Sequence, residues 1–121
     1  MKFTVKRTMK SQRKDYDFIA GVPCSRLAEF IEKNKCIIAT REDEAMALAV
    51  GAYLVGKKPL VFMQNSGLGH IVDITTSLLK PYDIKIDLLI SIRDSPEHHA
   101  FMGKITKDLL KLMEYENYQQ F

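Results

Sequence analysis

The sequence predicts an α/β fold, a three-layer α/β/α sandwich built on a parallel sheet. Four short runs are rich in apolar and β-branched residues, and each run is too short to be a helix. Helical patterns lie between these runs, so the repeating unit is strand, helix, strand. Strands that are apolar along their whole length are typical of parallel sheets covered on both faces, because neither face meets solvent. A length of 121 residues fits one domain, residues 1–121.

The predicted strands span residues 17–22 ("DFIAGV"), 36–40 ("CIIAT"), 59–63 ("PLVFM") and 87–92 ("DLLISI"). After the first strand, Ser25 is placed to cap a helix that ends at "EKNK". The apolar face of this helix carries Leu27, Phe30 and Ile31. After the second strand, a helix continues as far as Gly56, a residue type common just beyond helix C-termini. Its apolar residues recur at helical spacing: Ala45, Leu48, Ala49, Ala52 and Tyr53.

A helix is also predicted after the third strand and another after the fourth. The first of these ends at Pro81, and its apolar positions are Ile71, Ile74, Thr75 and Leu78. The apolar stripe of the last helix consists of Ile105, Leu109, Leu112 and Met113. In such sheets ligands bind beyond the carboxyl ends of the strands. We therefore expect the functional site among "VPCS", "REDE", "QNSGLG" and "RDSPEHH".

Composition and charge exclude several classes of function. The net charge is +3, much of it from the segment before Asp15, and no aromatic-basic motif accompanies it, so a nucleic-acid partner is not expected. No run approaches the roughly 18 apolar residues of a membrane span, and the basic N-terminus lacks the apolar core of a secretory signal. Cys24 and Cys36 lack metal-ligand spacing, which predicts no metal site and a cytoplasmic protein.

The motifs at the carboxyl edge are ambiguous when each is taken alone. "QNSGLG" lacks the lysine of a P-loop and the third glycine of a dinucleotide fingerprint, which leaves an anion site, a plain connector or a pocket wall. Acids in the first turn of a helix, as in "REDE", usually complement the helix dipole. His98 and His99 would diverge on a helix, and a polar loop is the simpler interpretation. Cys24 has no assignable catalytic partner and is interpreted as a packed residue.

Taken together and in order, four segments resemble one enzyme family. They are "GVPCSRL", "ATREDEAMALAVGAYLVGKKP", "MQNSGLGHIVD" and "HAFMGKITKDLL". The resemblance is to the pyrimidine-binding domain of the thiamine diphosphate-dependent decarboxylases of sulfopyruvate and phosphonopyruvate, and is strongest to the sulfopyruvate decarboxylase alpha subunit. It covers about residues 17–113 and implies a single pyrimidine-binding domain whose C-terminal edge is shortened. An edge of the sheet is then expected to be absent or completed by a partner.

The resemblance implies roles for particular residues. Glu42 matches the glutamate that hydrogen-bonds N1′ of the cofactor's aminopyrimidine and so activates the thiazolium, the electron sink for decarboxylation. The loop along the cofactor corresponds to Gln64, Asn65, Ser66 and Gly67. His99 matches a catalytic histidine, in a loop that is shorter here than in the family. For the extra anion of the substrate, the weaker candidates on the same edge are Cys24, Ser25, Arg26 and Arg93.

The family also implies a partner. Its members hold the diphosphate and Mg²⁺ with a Gly-Asp-Gly motif on a second domain, and this sequence contains no Gly-Asp-Gly. The resemblance therefore implies a hetero-oligomer in which a beta subunit supplies that site. The expected reaction converts 3-sulfopyruvate to sulfoacetaldehyde and CO2, which the family links to coenzyme M biosynthesis. The alternatives are a phosphonopyruvate decarboxylase subunit, a non-catalytic interaction module with the same fold and, less favoured, a flavodoxin-like nucleotide binder.

Overall fold

Five parallel strands form a single sheet in the computed structural model, which describes residues 16–121. The strands are β1 (Phe18–Gly21), β2 (Ile37–Ile38), β3 (Pro59–Gln64), β4 (Asp87–Ser91) and β5 (Tyr118–Gln120). Their order across the sheet is β2-β1-β3-β4-β5, and every neighbouring pair is parallel. The predicted α/β fold class is confirmed. The basic segment before Asp15 lies outside the described residues.

The four predicted strands are all present, but β5 was not predicted. Its sequence is "YQQ", three residues with one aromatic side chain, which gives no apolar run for a periodicity argument to detect. Backbone pairing continues past the strand, because the Phe121 N–H donates to the Ile90 carbonyl at 2.8 Å. This chain therefore supplies the strand that lies beside β4, and β5 is one edge of the sheet.

The first helical segment differs from its prediction. It opens as a 3-10 turn, Ser25–Leu27, and continues as helix α1 (Ala28–Lys33). Cys24 precedes the turn, and no side chain caps either segment. The prediction that Ser25 caps the helix is therefore wrong, because Ser25 lies inside the turn with its side chain exposed.

Helix α2 (Glu42–Leu54) ends where the sequence predicted. Gly56 has φ +89°, the left-handed conformation that favours glycine. Its N–H donates to the Tyr53 carbonyl at 3.0 Å, and the Lys57 N–H donates to the Ala52 carbonyl at 2.9 Å. These two hydrogen bonds form a Schellman motif, which satisfies carbonyls that the helix itself leaves unpaired. The interpretation of Gly56 as the C′ glycine is confirmed.

The helical segment after β3 is composite. It runs as a 3-10 helix over Asn65–Ile71, as a short α-helical segment, α3 (Val72–Ile74), and as a π-helix over Thr75–Leu79, before Pro81. The predicted helix is therefore present but irregular. Its 3-10 part has three residues per turn, so side chains three positions apart lie on the same face.

The apolar faces of α2 and of α4 (Glu97–Leu112) are rotated relative to their predictions. Leu48 and Tyr53 of α2 are 40% and 39% exposed, whereas Met46 and Val50 are buried. Leu112 of α4 is 83% exposed. The buried residues of α4 are Thr106 and Leu110. Helix α2 is apolar around most of its circumference, so sequence periodicity gives no preferred face for it.

Hydrophobic clusters cover both faces of the sheet at its centre, whereas Ile37 and Ile38 of the edge strand β2 are exposed, contrary to the prediction of a buried strand. One cluster joins Val61, Met63, Leu88 and Ile90 of the sheet to α2, the composite helix and α4. On the opposite face, Leu60, Phe62 and Leu89 pack with Leu27 and Phe30. Within residues 16–121, no helix combines the length and the apolar character needed to cross a membrane.

Candidate active site

Three strand ends meet around Cys24. Gln64 is the last residue of β3 and Ser91 the last of β4, while Cys24 follows β1. The Cys24 thiol lies 3.4 Å from Gln64 Oε1 and 3.6 Å from Ser91 Oγ, so it can donate to either oxygen. Cys24 is buried. These contacts agree with its interpretation as a packed residue and place it at the centre of the carboxyl edge.

Glu42 lies at the same edge, as the first residue of α2. It is one of five buried polar or charged residues in the described chain and is only 9% exposed. Its Oε1 atom lies 2.7 Å from Nδ1 of His70. The next two acids, Asp43 and Glu44, have other partners. Asp43 Oδ1 lies 3.1 Å from Arg41 Nε, and Glu44 Oε1 accepts from the Thr40 N–H at 2.7 Å.

Gly67 packs against the Glu42 carboxyl group. A Cβ atom at position 67 would lie 2.3 Å from Glu42 Cγ and 2.7 Å from Oε2, closer than real Cβ atoms approach. Gly67 and His70 are three residues apart in the 3-10 helix, which places both on the face that meets Glu42. Two residues of the segment after β3 thus contact the Glu42 carboxyl group: Gly67 through its backbone and His70 through its imidazole.

His70 is a site residue that the sequence did not identify. Finding it requires two facts that only the structure supplies: that residues 65–71 form a 3-10 helix and that this helix lies against the start of α2. The surrounding sequence "SGLGHIVD" does not indicate a functional role for His70, because a histidine in a helical segment can be exposed or partly buried without one.

The other residues of the predicted cofactor loop occupy distinct positions. Gln64 Nε2 donates to Ser66 Oγ at 2.9 Å, and Ser66 is exposed. Asn65 is 1% exposed, and its Oδ1 accepts from the Arg93 N–H at 3.0 Å. Asn65 Nδ2 donates to the Arg93 carbonyl at 3.0 Å and to Thr106 Oγ1 at 2.9 Å. The side chain of Asn65 is therefore used within the protein, and only its backbone is left to contact a ligand.

His98 and His99 lie in the first turn of α4, so the polar-loop interpretation is wrong. Their ring centroids are 4.0 Å apart, which shows that the two rings are in contact instead of diverging. Local desolvation, followed by electrostatic repulsion from the neighbouring His98 and Arg93 side chains, lowers the pKa of His99 below the usual histidine value. His99 is thus favoured in its neutral form at neutral pH.

The predicted substrate arginines approach the same loop. Arg26 Nη1 donates to the Ile92 carbonyl at 2.5 Å, and Arg93 Nη1 lies 3.5 Å from Ser25 Oγ. Each guanidinium has five N–H donors, so these contacts leave donors for a ligand. The lack of a side chain at Gly103 of α4 lets this loop pack closely on the helix, because a Cβ there would lie 2.4 Å from Asp94 Cβ. Ser25, Arg26, Arg93 and His99 therefore gather around the end of β4.

The residues of the candidate site fall into two connected groups. One group surrounds Glu42 and consists of Gly67, which the sequence predicted, and His70, which it did not. The other surrounds the end of β4 and includes Arg93 and His99. Gln64 and Asn65 join the two, since they are consecutive and contact Cys24 and Arg93 respectively. A buried carboxyl group and a neutral imidazole on one sheet edge are an arrangement suited to proton transfer.

Comparison with known proteins gives a consistent result. No family model matches the chain. It is 39% identical over 113 residues to a sulfopyruvate decarboxylase subunit alpha from Methanocaldococcus jannaschii, covering 85% of this chain and 67% of that protein. The same subunit from Methanothermobacter thermautotrophicus is 36% identical over 108 residues, covering 81% of this chain and 66% of that one.

A third relative has a different name and a much longer chain. It is a phosphonopyruvate decarboxylase from Streptomyces viridochromogenes, 40% identical over 110 residues. That alignment covers 81% of this chain and 28% of the relative. This chain thus spans about two thirds of the alpha subunits and under a third of the longer enzyme. Identity at this level over most of its length shows that the chain belongs to the family of sulfopyruvate and phosphonopyruvate decarboxylases.

Proposed function

We propose that this chain is the alpha, pyrimidine-binding subunit of a thiamine diphosphate-dependent decarboxylase that converts 3-sulfopyruvate to sulfoacetaldehyde and CO2. The observation that carries the proposal is the buried Glu42 carboxyl group, held between Gly67 and His70 at the carboxyl edge of the sheet. The names of the relatives support the substrate, since those that match as a separate alpha subunit are sulfopyruvate decarboxylases.

The residues present fit an aminopyrimidine ring. Glu42 supplies an oxygen acceptor for a ring nitrogen and is nearly excluded from water. The absence of a side chain at Gly67, where a Cβ would overlap Glu42, leaves the backbone as the surface beside the carboxyl group. The remaining loop residues, Gln64 and Ser66, add polar atoms next to it. Asn65 would contribute through its backbone, because its side chain already bonds Arg93 and Thr106.

The proposed mechanism assigns separate roles to Glu42, to His99 and to the two arginines. The bound cofactor supplies the electron sink that decarboxylation of a 2-oxo acid requires. Glu42 holds a proton at N1′, and its burial keeps competing water away. His99, neutral at neutral pH, has one N–H to donate and one nitrogen to accept, so it can pass a proton near the substrate. Arg26 and Arg93 would receive the substrate's second anion.

The partner in this proposal is a beta subunit with the Gly-Asp-Gly motif that this sequence lacks. It would hold the diphosphate and Mg²⁺, and the cofactor would bridge the two chains. The name "subunit alpha" of the relatives supports the existence of a partner. We also place the complex in the cytoplasm and in coenzyme M biosynthesis. Both cysteines are free thiols, which suits a reducing compartment.

Two alternatives remain distinct from this proposal. A phosphonopyruvate decarboxylase subunit is favoured by one observation, the 40% identity to the Streptomyces enzyme. The two substrates differ in the anion that the arginines would bind. A non-catalytic interaction module with the same fold would not require the close contact of Gly67 with the Glu42 carboxyl group, and this contact therefore favours the enzyme.

Co-expression with the beta subunit tests the proposal. The purified complex, supplied with thiamine diphosphate and Mg²⁺, is assayed for CO2 release from 3-sulfopyruvate, phosphonopyruvate and pyruvate. We expect turnover of 3-sulfopyruvate to be the fastest and turnover by the alpha chain alone to be undetectable. Preference for phosphonopyruvate would establish the alternative substrate. A stable complex that releases no CO2 from any of the three acids would contradict the enzymatic function.

A further inference from the structure

The contact between Glu42 and His70 is the feature that the proposed mechanism leaves unused. Glu42 Oε1 lies 2.7 Å from His70 Nδ1, and the two side chains are 12% and 49% exposed. A carboxyl group has two oxygens, and the imidazole engages only Oε1. The other oxygen, Oε2, faces Gly67, where any side chain would come within 2.7 Å of it. One oxygen is engaged by the His70 side chain, and the other lies against the backbone of Gly67, which has no side chain to cover it.

We propose that His70 is a positioning residue for Glu42: it donates from Nδ1 to Oε1 and fixes the carboxylate with Oε2 as the oxygen that meets the ligand. This inference rests on the proposed function for its consequence in catalysis, but the contact itself exists in the chain without cofactor. A glutamate has three side-chain torsions, and fixing them before the ligand binds reduces the cost of reaching the reactive geometry.

The chain geometry explains why position 70 is suited to this role. The 3-10 helix Asn65–Ile71 aligns positions 67 and 70, so the imidazole lies beside the glycine on the face toward α2. Asn65 anchors the start of this helix to the Arg93 backbone and to Thr106. The start of the helix that carries His70 is therefore anchored to the loop after β4 and to α4, and it cannot move away from Glu42 without breaking these hydrogen bonds.

Other charged groups lie near His70, but in the described chain they make no hydrogen bond or ion pair with the Glu42 carboxyl group. The groove beside its ring is also lined by Arg41, Asp43, Glu44 and Asp73. Asp43 Oδ1 pairs with Arg41, and Glu44 Oε1 accepts from the Thr40 N–H, so these groups have partners of their own. Within the described residues, His70 is the basic side chain that lies within 4 Å of the Glu42 carboxyl group, at 2.7 Å.

The first experiment uses the full chain without cofactor. The sequence contains three histidines, and nitrogen-15 NMR of their rings reports which nitrogen carries the proton; His70→Asn identifies the His70 signals. At a pH where the imidazole is neutral, we expect His70 in the Nδ1–H tautomer. Glu42→Ala should remove this preference. The proposal would be overturned if Nδ1 were unprotonated in the wild-type chain, or if the tautomer preference of His70 were the same in Glu42→Ala.

The second experiment uses the complex with the beta subunit. His70→Leu removes the donor, and His70→Asn keeps an N–H donor near the position of Nδ1. We expect His70→Leu to slow hydrogen–deuterium exchange at the cofactor's C2, and to lower kcat, by about 10- to 100-fold. KM for the 2-oxo acid should change less than about twofold, and His70→Asn should recover most of the exchange rate. Lys107→Leu, an exposed substitution on α4, serves as the control.

The outcomes separate this inference from the proposed function. If the wild-type complex decarboxylates no 2-oxo acid, the proposed function fails, while the tautomer of His70 still decides whether it holds Glu42. If the complex is active and His70→Leu leaves C2 exchange and kcat unchanged, the positioning role is contradicted and the proposed function stands. Equal losses in His70→Leu and His70→Asn would likewise contradict a role that depends on the Nδ1 donor.

Discussion

The three acids at the start of α2 show how differently adjacent residues of one type can behave. Asp43 accepts from Arg41, and this hydrogen bond, with the charge of Arg41, holds the pKa of Asp43 below its usual value. Glu44 accepts from the backbone N–H of Thr40. These two acids serve the helix terminus, as acids in a first turn usually do. Glu42 is the exception, because it is buried and meets the loop after β3.

Glu42→Gln tests this distinction between residues. The amide has nearly the same shape but cannot hold a proton for N1′, so we expect decarboxylation by the complex to fall by at least about 100-fold. The thermal midpoint of the chain should change little, since Gln can still accept a hydrogen bond at Oε1. The measurement is kcat together with thermal unfolding, and Asp43→Asn is the matched control that should remain active. A fully active Glu42→Gln variant would show that Glu42 serves only the helix terminus.

Tyr115 provides a test of pH dependence. Its hydroxyl donates to the Ile86 carbonyl at 2.5 Å, and burial, followed by the nearby Asp87 charge, raises its pKa far above the ordinary value of 10.0. Above about pH 10 the unfolded chain releases this proton and the folded chain keeps it. The unfolded state then binds fewer protons, so the free energy of unfolding falls as pH rises, by up to about 1.4 kcal/mol per pH unit from this group.

The comparison with Tyr115→Phe isolates that contribution. Below about pH 9 the variant should be less stable by about 1 kcal/mol, because it lacks the hydrogen bond to Ile86. Above about pH 10 the stability difference should narrow, since the wild-type chain alone carries the cost of keeping a buried phenol protonated. Urea unfolding at a series of pH values measures both effects. A stability difference that stays constant up to about pH 11 would contradict the raised pKa.

At the scale of elements, helix α2 has one glycine in its interior and one just beyond its C-terminus, and the two have opposite conformational requirements. Gly51 lies in the helix interior, is exposed, and a Cβ there would meet no atom within 4 Å. Gly56 has φ +89° and closes the Schellman motif. We expect Gly51→Ala to raise the free energy of unfolding by about 0.5–1 kcal/mol and Gly56→Ala to lower it by about 1–2 kcal/mol. Chemical denaturation of the two variants checks the opposite signs. Two effects of the same sign would contradict this account of α2.

The side chain of Asn65 connects three elements, so its removal should lower the stability of the fold. Its amide joins the start of the composite helix to the loop after β4 and to α4, through Arg93 and Thr106. Asn65→Ala would remove the partners of the Arg93 N–H and carbonyl and the buried hydrogen bond to Thr106. We therefore expect a loss of about 1–3 kcal/mol in the free energy of unfolding, with Ser66→Ala as an exposed control. Stability unchanged in Asn65→Ala would show that water replaces the amide.

For the whole molecule, the proposal that two chains share the cofactor-binding site predicts different effects of the cofactor on the melting temperatures of the complex and of the isolated chain. A ligand stabilises the folded state in proportion to the logarithm of its concentration relative to its dissociation constant. If the partner holds the diphosphate, thiamine diphosphate with Mg²⁺ should raise the melting temperature of the complex by several degrees and that of the alpha chain by less than about one degree. Differential scanning fluorimetry of both samples measures this. An equal shift for the isolated chain would contradict the division.

Sequence reasoning succeeded for the sheet and was less successful for helix faces. The runs "PLVFM" and "LLI" are apolar throughout, a pattern typical of strands covered on both faces, and both lie in buried strands. The faces of α2 and α4 could not be predicted as well. Leu48 and Leu112 match the helical spacing but are exposed, because the direction in which each helix packs depends on its neighbours. The strand β5 is too short and too polar to be recognised.

The sequence by itself determined the fold class, the choice of the carboxyl edge as the place of the candidate site, and the family resemblance that singled out Glu42 and "QNSGLG". These follow from local patterns, since strand and helix periodicity and short motifs are properties of neighbouring residues. The tertiary structure alone decided that Glu42, unlike Asp43 and Glu44, is buried against Gly67 and His70. That contact joins residues up to 28 positions apart, and such pairs are fixed only when α2 and the composite helix pack on the same sheet.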